Sequence, residues 1–166
     1  MSPFKRAAAC LLGLTLLFST AAAETTLHFT FAGDCTLGSE EAKRKQATSF
    51  DSVIAEKGYD WPFANMQELY QNDDLTVVNL EGVLSDSNRS ENKDKTYRFR
   101  GPTAFVDILT RSGIEAVNLA NNHTQDFGKQ GYTATRKPWR RRAWATSAAG
   151  AYTSLKKTGS RWPSSA

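Results

Sequence analysis

Three short polar clusters in this 166-residue chain carry side chains that could do chemistry together. They are "AGDCTLG" with Asp34, "VNLEG" with Glu81, and "VNLANNHTQDFG" with Asn122 and His123. Two carboxylates, an amide oxygen and an imidazole form a mixed oxygen and nitrogen set suited to a divalent metal such as manganese, zinc or iron. A metal held there could polarise a phosphoryl or carbonyl oxygen and lower the pKa of a bound water. Each cluster also has a plainer use. Gly-Asp after a strand makes ordinary turns, "NLE" can be a helix-capping carboxylate, adjacent asparagines turn the chain, and an isolated histidine is often structural. The coincidence of three clusters, each closing a strand, favours a site.

The elements that must position these groups follow from periodicity. "LHFTFAGD" alternates, with Leu27, Phe29 and Phe31 on one face, and stops at Gly33-Asp34 as a strand enters a loop. The alternation turns His28 away from the core or under a helix. A helix is best supported over Phe50–Lys57 and closes at Gly58; Pro62 opens a second with the stripe Phe63, Met66, Leu69 and Tyr70. "LTVVNL" suits a buried parallel strand. Residues 85–95 read as an exposed polar loop and "TYRFRG" as a short strand. Pro102 opens a helix with Phe105, Ile108 and Leu109 buried, Gly113 ends it, and "IEAVNLA" is the next strand. Strand, helix, strand, helix, strand describes an α/β layered domain with a largely parallel sheet. In such sheets ligands bind beyond the carboxyl ends of the strands, where Asp34, Glu81, Asn122 and His123 would meet.

Composition sets the surroundings. Lys5 and Arg6, then "AAACLLGLTLLF", then "STAAAE" have the order of a secretory signal peptide cleaved after Ala23, so residues 1–23 are read as a leader and the remainder as exported. Cys10 leaves with that leader, Cys35 stands alone and reads as a small buried residue, and no intramolecular disulfide or cysteine zinc cluster forms. Residues 24–133 carry 11 Lys and Arg against 17 Asp and Glu, whereas 134–166 carry 8 basic residues and no acid. The body is acidic and the tail is basic.

Taken in order, "FAGDCTLG", "VVNLEGVL", "YRFRGP" and "GIEAVNLANNHTQDFGKQGY" resemble the bacterial capsule-synthesis CapA family over about Leu27 to Thr133. The resemblance implies a fold related to the calcineurin-like metallophosphoesterases, of which this chain holds the N-terminal portion. It implies work on an anionic capsule polymer, such as poly-γ-glutamate, or with its membrane synthesis and export machinery. It assigns Asp34 and Glu81 as metal ligands with Asn79 orienting Glu81, and Asn122 as a metal-binding amide. His123 becomes the neighbouring acid and Asp126 the carboxylate holding its tautomer. The Asp-x-His of classical phosphoesterases is missing from "FTFAGD", and no histidine follows His123, so the expected site is half-built. Two other uses of the fold stay open: a generic metal-dependent phosphoesterase, and an envelope assembly factor without turnover.

After Thr133 the acids vanish and three of the four tryptophans appear among arginines. Such a segment suits phosphate and base contacts, but export and an acidic body argue against nucleic acid. A second explanation is a shift of reading frame. Permitted codons for "RKPWRRRAWATS" (Arg136–Ser147) read in another frame as "ETLEEAGVGYF", a helix end, a glycine stop and a strand. The expectation is a domain boundary after residue 133 and an out-of-frame, poorly ordered tail over 134–166.

Overall fold

The computed structural model describes residues 26–141 and 145–147. The expected leader, residues 1–23, lies outside them, as does most of the expected tail. The order is β1 (Phe29–Thr36), α1 (Phe50–Lys57), α2 (Gln67–Asn72), β2 (Leu75–Glu81), β3 (Val83–Leu84), β4 (Arg100–Gly101), α3 (Val106–Ser112), β5 (Ala116–Asn118), α4 (Gly128–Arg141) and β6 (Ala145–Ser147). Strands β1, β2, β5 and β6 form one parallel sheet in that spatial order, and β3 and β4 pair as a separate parallel ribbon. This is the mixed α/β class with a parallel sheet that the alternating pattern implied.

Local chemistry sets the helix ends. The Ser49 hydroxyl accepts the Ser52 N–H at 3.1 Å to cap α1, and Gly58 closes it at φ +86°. Phe105, Ile108 and Leu109 are buried as their spacing implied, and Gly113 ends α3 in the left-handed region at φ +86°. A Cβ at Gly113 would also come 3.0 Å from the Tyr70 backbone, so glycine is needed there for conformation and for room. The second helix is shorter than Pro62 suggested. Turns occupy 62–66 and the helix begins at Gln67. Six residues present only Tyr70 to the core, and Met66 and Leu69 stay exposed.

Side chains on paired residues share a face of a pleated sheet. Thr76, Val78, Leu80 and Val117 face the helices and are buried. The opposite face carries Phe29, Phe31, Val77, Asn79 and Asn118, by register. Strict alternation along β1 would send Asp34 to the core and Cys35 to that open face. Instead the register shifts between Phe31 and Asp34, where three steps on β1 match two on β2. This bulge reverses the alternation. Cys35 becomes buried beside Leu80, with its thiol pushed up to about 12 by burial, and Asp34 and Thr36 emerge beside Asn79 and Glu81.

The row Leu27, Phe29 and Phe31 does share one face, but among the described residues it is exposed rather than core. The expected boundary after Thr133 falls inside α4, which runs on to Arg141. Thr135 is buried there; its hydroxyl accepts the Leu84 N–H and donates to the Gly131 carbonyl, both at 2.9 Å. Among the described residues no helix is long and apolar enough to cross a membrane.

Candidate functional site

The polar end of the open face is built by the β1 bulge, the end of β2, and the loop between β5 and α4. Asn79 lies at its centre. Its amide nitrogen donates to Asp34 Oδ1 at 2.7 Å, and its Oδ1 accepts from Asn118 Nδ2 at 2.8 Å and Asn121 Nδ2 at 3.0 Å. The Ala120 N–H donates in turn to Asn118 Oδ1 at 3.1 Å. These amide dipoles run head to tail and end on the Asp34 carboxylate. Two residues on, the Thr36 hydroxyl donates to Glu81 Oε2 at 3.0 Å. Gly82, at φ +95°, lets the chain turn directly after Glu81; a Cβ there would lie 2.9 Å from the Phe99 side chain.

His123 is buried with a small exposed edge, and Asp126 is fully buried. Its Nδ1 lies 2.7 Å from Asp126 Oδ2. A carboxylate only accepts, so this contact takes a proton on Nδ1, and in a neutral ring that leaves the lone pair on Nε2. Nε2 lies 3.5 Å from Glu81 Oε1. Asn121 Oδ1 receives the His123 N–H at 3.0 Å, and the Phe99 ring packs against the imidazole at 4.8 Å between centroids. Asp126 is further held by the Phe99 N–H at 2.8 Å and by the Lys95 ammonium.

The structure therefore brings Asp34, Asn79, Glu81, His123 and Asp126 into one connected neighbourhood. Asn122 stands apart. It is exposed, it lines a neighbouring cleft of about 660 Å³ with Gln125 and Tyr132, and its backbone carbonyl accepts from Lys95 at 2.7 Å. The adjacent Asn121 is the amide that enters the network, bonding also to the Leu80 carbonyl at 2.9 Å. The choice between two adjacent asparagines depends on loop geometry, for which the sequence carries no signal. Asn118, Thr36 and Lys95 were also missed. For the first two a signal existed: each lies an even number of residues from a named site residue on its own strand or across the pairing.

The donor set can be tested against a divalent cation. Two ligands of one tetrahedral ion with bonds near 2.1 Å stand about 3.4 Å apart, which matches the Nε2 to Oε1 separation. An imidazole fixed by a carboxylate on its other nitrogen is the usual form of a histidine ligand. Glu81 and His123 thus fit as a pair. Asp34 sits two residues before the Thr36–Glu81 pairing, about 7 Å along the strand. Among the described residues no group of three His, Cys, Asp or Glu side chains is placed to hold a metal.

Comparison with known proteins agrees with the mixed α/β fold. The family model described as bacterial capsule synthesis protein PGA_cap matches residues 28–161. The match begins at the first strand and continues past residue 133. The capsule biosynthesis protein CapA of Bacillus anthracis is 27% identical over 90 residues, covering 53% of this chain and 22% of that protein. The PGA biosynthesis protein CapA of Bacillus subtilis (strain 168) is 25% identical over 112 residues, covering 68% of this chain and 27% of that protein. The chain spans about a quarter of the length of these curated relatives. With its parallel sheet and strand-end site, matched over most of its length by one family model, the chain belongs to the bacterial capsule synthesis protein family PGA_cap.

Proposed function

We propose that this protein is exported and works in the cell envelope, in the periplasm or outside the cell, on the synthesis or export of an anionic capsule polymer of the poly-γ-glutamate type. Family membership supports the process, and the named relatives are capsule and PGA biosynthesis proteins. The observation that carries a chemical role is the arrangement of His123: Nδ1 occupied by buried Asp126, Nε2 open toward Glu81 at 3.5 Å. In this reading Glu81 and His123 hold a divalent cation (manganese, zinc or iron), which supplies Lewis acidity when bound. Asp126 keeps the imidazole proton on Nδ1, so that Nε2 is a ligand or a base. Thr36 fixes the Glu81 carboxylate, and the Asn79 amide chain fixes the Asp34 side chain at the rim as a second acidic group. The partner is the polymer itself or the membrane machinery that makes and exports it.

Metal analysis of the purified chain tests the reading. Stoichiometric manganese, zinc or iron is expected, retained less well in Asp34→Ala and lost in His123→Ala. No bound metal in the wild-type protein would contradict the metal role. A second reading is an envelope assembly factor that keeps the fold without turnover. Metal-dependent hydrolysis of a simple phosphate ester that is lost in His123→Ala would exclude that second reading and favour a phosphoesterase.

A further inference from the structure

We infer that the cleft beside the β5–α4 loop binds a short stretch of an acidic polyamide chain next to the His123 site. This rests on the reading that the protein works on an anionic polymer, and it names where that polymer is held. The cleft measures about 660 Å³, within the range of about 300–1,000 Å³ usual for ligand sites. It adjoins the site through Asn121, which lines it. The Asn121 amide donates to Asn79 Oδ1 and to the Leu80 carbonyl, and its Oδ1 accepts the His123 N–H.

The lining chemistry selects the ligand. Asn122 and Gln125 are exposed, and neither side-chain amide bonds to another described residue, whereas Asn121 and Thr124 are committed to their neighbours. A primary amide donates through nitrogen and accepts through oxygen, which matches the N–H and C=O of a polymer amide. Among the described residues no charged side chain lines the cleft, so a chain bearing carboxylates meets no repelling acid there. An attracting charge stands beside it. The Arg136 guanidinium lies 5.4 Å from the Tyr132 ring centroid and pairs with no carboxylate among the described residues. Its own segment, 134–166, contains no acid. The same contact argues against a saccharide. A sugar ring stacks on an open aromatic face, whereas Tyr132 packs against the core and carries Arg136 over its ring.

Proton–nitrogen correlation NMR of the full chain tests this with a short γ-linked glutamate oligomer, the glutamine oligomer of equal length, and a maltooligosaccharide. The glutamate oligomer is expected to shift the side-chain NH2 signals of Asn122 and Gln125. The glutamine oligomer should do so only at higher concentration, and the maltooligosaccharide not at all. Arg136→Gln should lower the affinity for the glutamate oligomer to that for the glutamine oligomer. Asn122→Ala combined with Gln125→Ala should weaken binding about tenfold, through the loss of two hydrogen bonds. If that double variant does not fold cooperatively, the wild-type NH2 signals read the contact by themselves. Shifts at His123 and its neighbours with none at Asn122 or Gln125 overturn the cleft assignment and leave the polymer reading standing. No shift anywhere in the chain from the glutamate oligomer overturns both. Equal shifts from the maltooligosaccharide, or equal affinity for the two polyamides, overturn the acidic polyamide as the ligand.

Discussion

The open face of the sheet has two ends with opposite character. At the carboxyl end Asp34, Asn79, Glu81 and Asn118 are linked to one another or to neighbouring loops through short hydrogen bonds. At the amino end of the same face Phe29 and Phe31 are 48% and 74% exposed, and Leu27 beside them is also exposed. Single exposed apolar residues are ordinary, but two on β1 with Leu27 just before it, at every second position, are a stripe. The two ends differ in how they are stabilised. The polar end is satisfied by neighbours on the same sheet and in the β5–α4 loop, all within the described residues. The apolar end is exposed among the described residues, and the helices α1, α2 and α3 contribute to the core on the other face, around Val78, Leu80 and Val117. Site geometry and core burial are therefore separable in this domain.

That separation makes measurable claims. The largest effect is expected at Asp126→Ala, which leaves the His123 ring, the Phe99 N–H and the Lys95 ammonium without their shared acceptor; a loss of about 3–5 kcal/mol in urea unfolding is expected. On the helix-covered side, Ile108→Ala removes a fully buried side chain and should cost about 2–5 kcal/mol. Phe31→Ser, on the open side, should change stability by no more than about 0.5 kcal/mol and raise solubility. A cost near that of Ile108→Ala would mean that the stripe is covered, and would erase the contrast. Asn79→Ala breaks the amide chain while sparing the core, and about 1–3 kcal/mol is expected, with weaker metal retention as the more telling readout.

A small effect is also expected at Asp86. The Thr103 hydroxyl and N–H hold its carboxyl below the usual carboxylate range. A group with a depressed folded pKa contributes above its unfolded value and loses that contribution as pH falls through the folded one. The group is largely exposed, so Asp86→Asn should cost less than about 1 kcal/mol at pH 7, and the difference from wild type should vanish in strong acid.

Much of this architecture was legible in the sequence because local rules dictated it. Helix α1 spans Phe50–Lys57 and closes at Gly58, α3 buries the three residues its spacing selected, and the three strand-end clusters do lie at one edge. What could not be read depended on register and loop geometry. Gly33 hints at a bulge, but only pairing with β2 shows that the bulge carries Asp34 across the sheet. Asn121 and Asn122 are chemically identical, and the turn after β5 decides which enters the network. Lys95 sits in a segment whose composition says only that it is polar. The tail was read by composition as foreign to the domain; among its described residues α4 runs on to Arg141 and β6 pairs with β5. Sequencing the gene across codons 130–140 would settle the reading-frame proposal: a continuous second frame that continues the domain supports it, and an early stop in that frame removes it.

The most direct test of the central claim is ring nitrogen NMR of His123 during titration with zinc. The account predicts a large shift of Nε2 with Nδ1 still protonated, no comparable shift at His28, and loss of the effect in Glu81→Gln. Equal responses from both histidines, or none from His123, would contradict a metal held between Glu81 and His123.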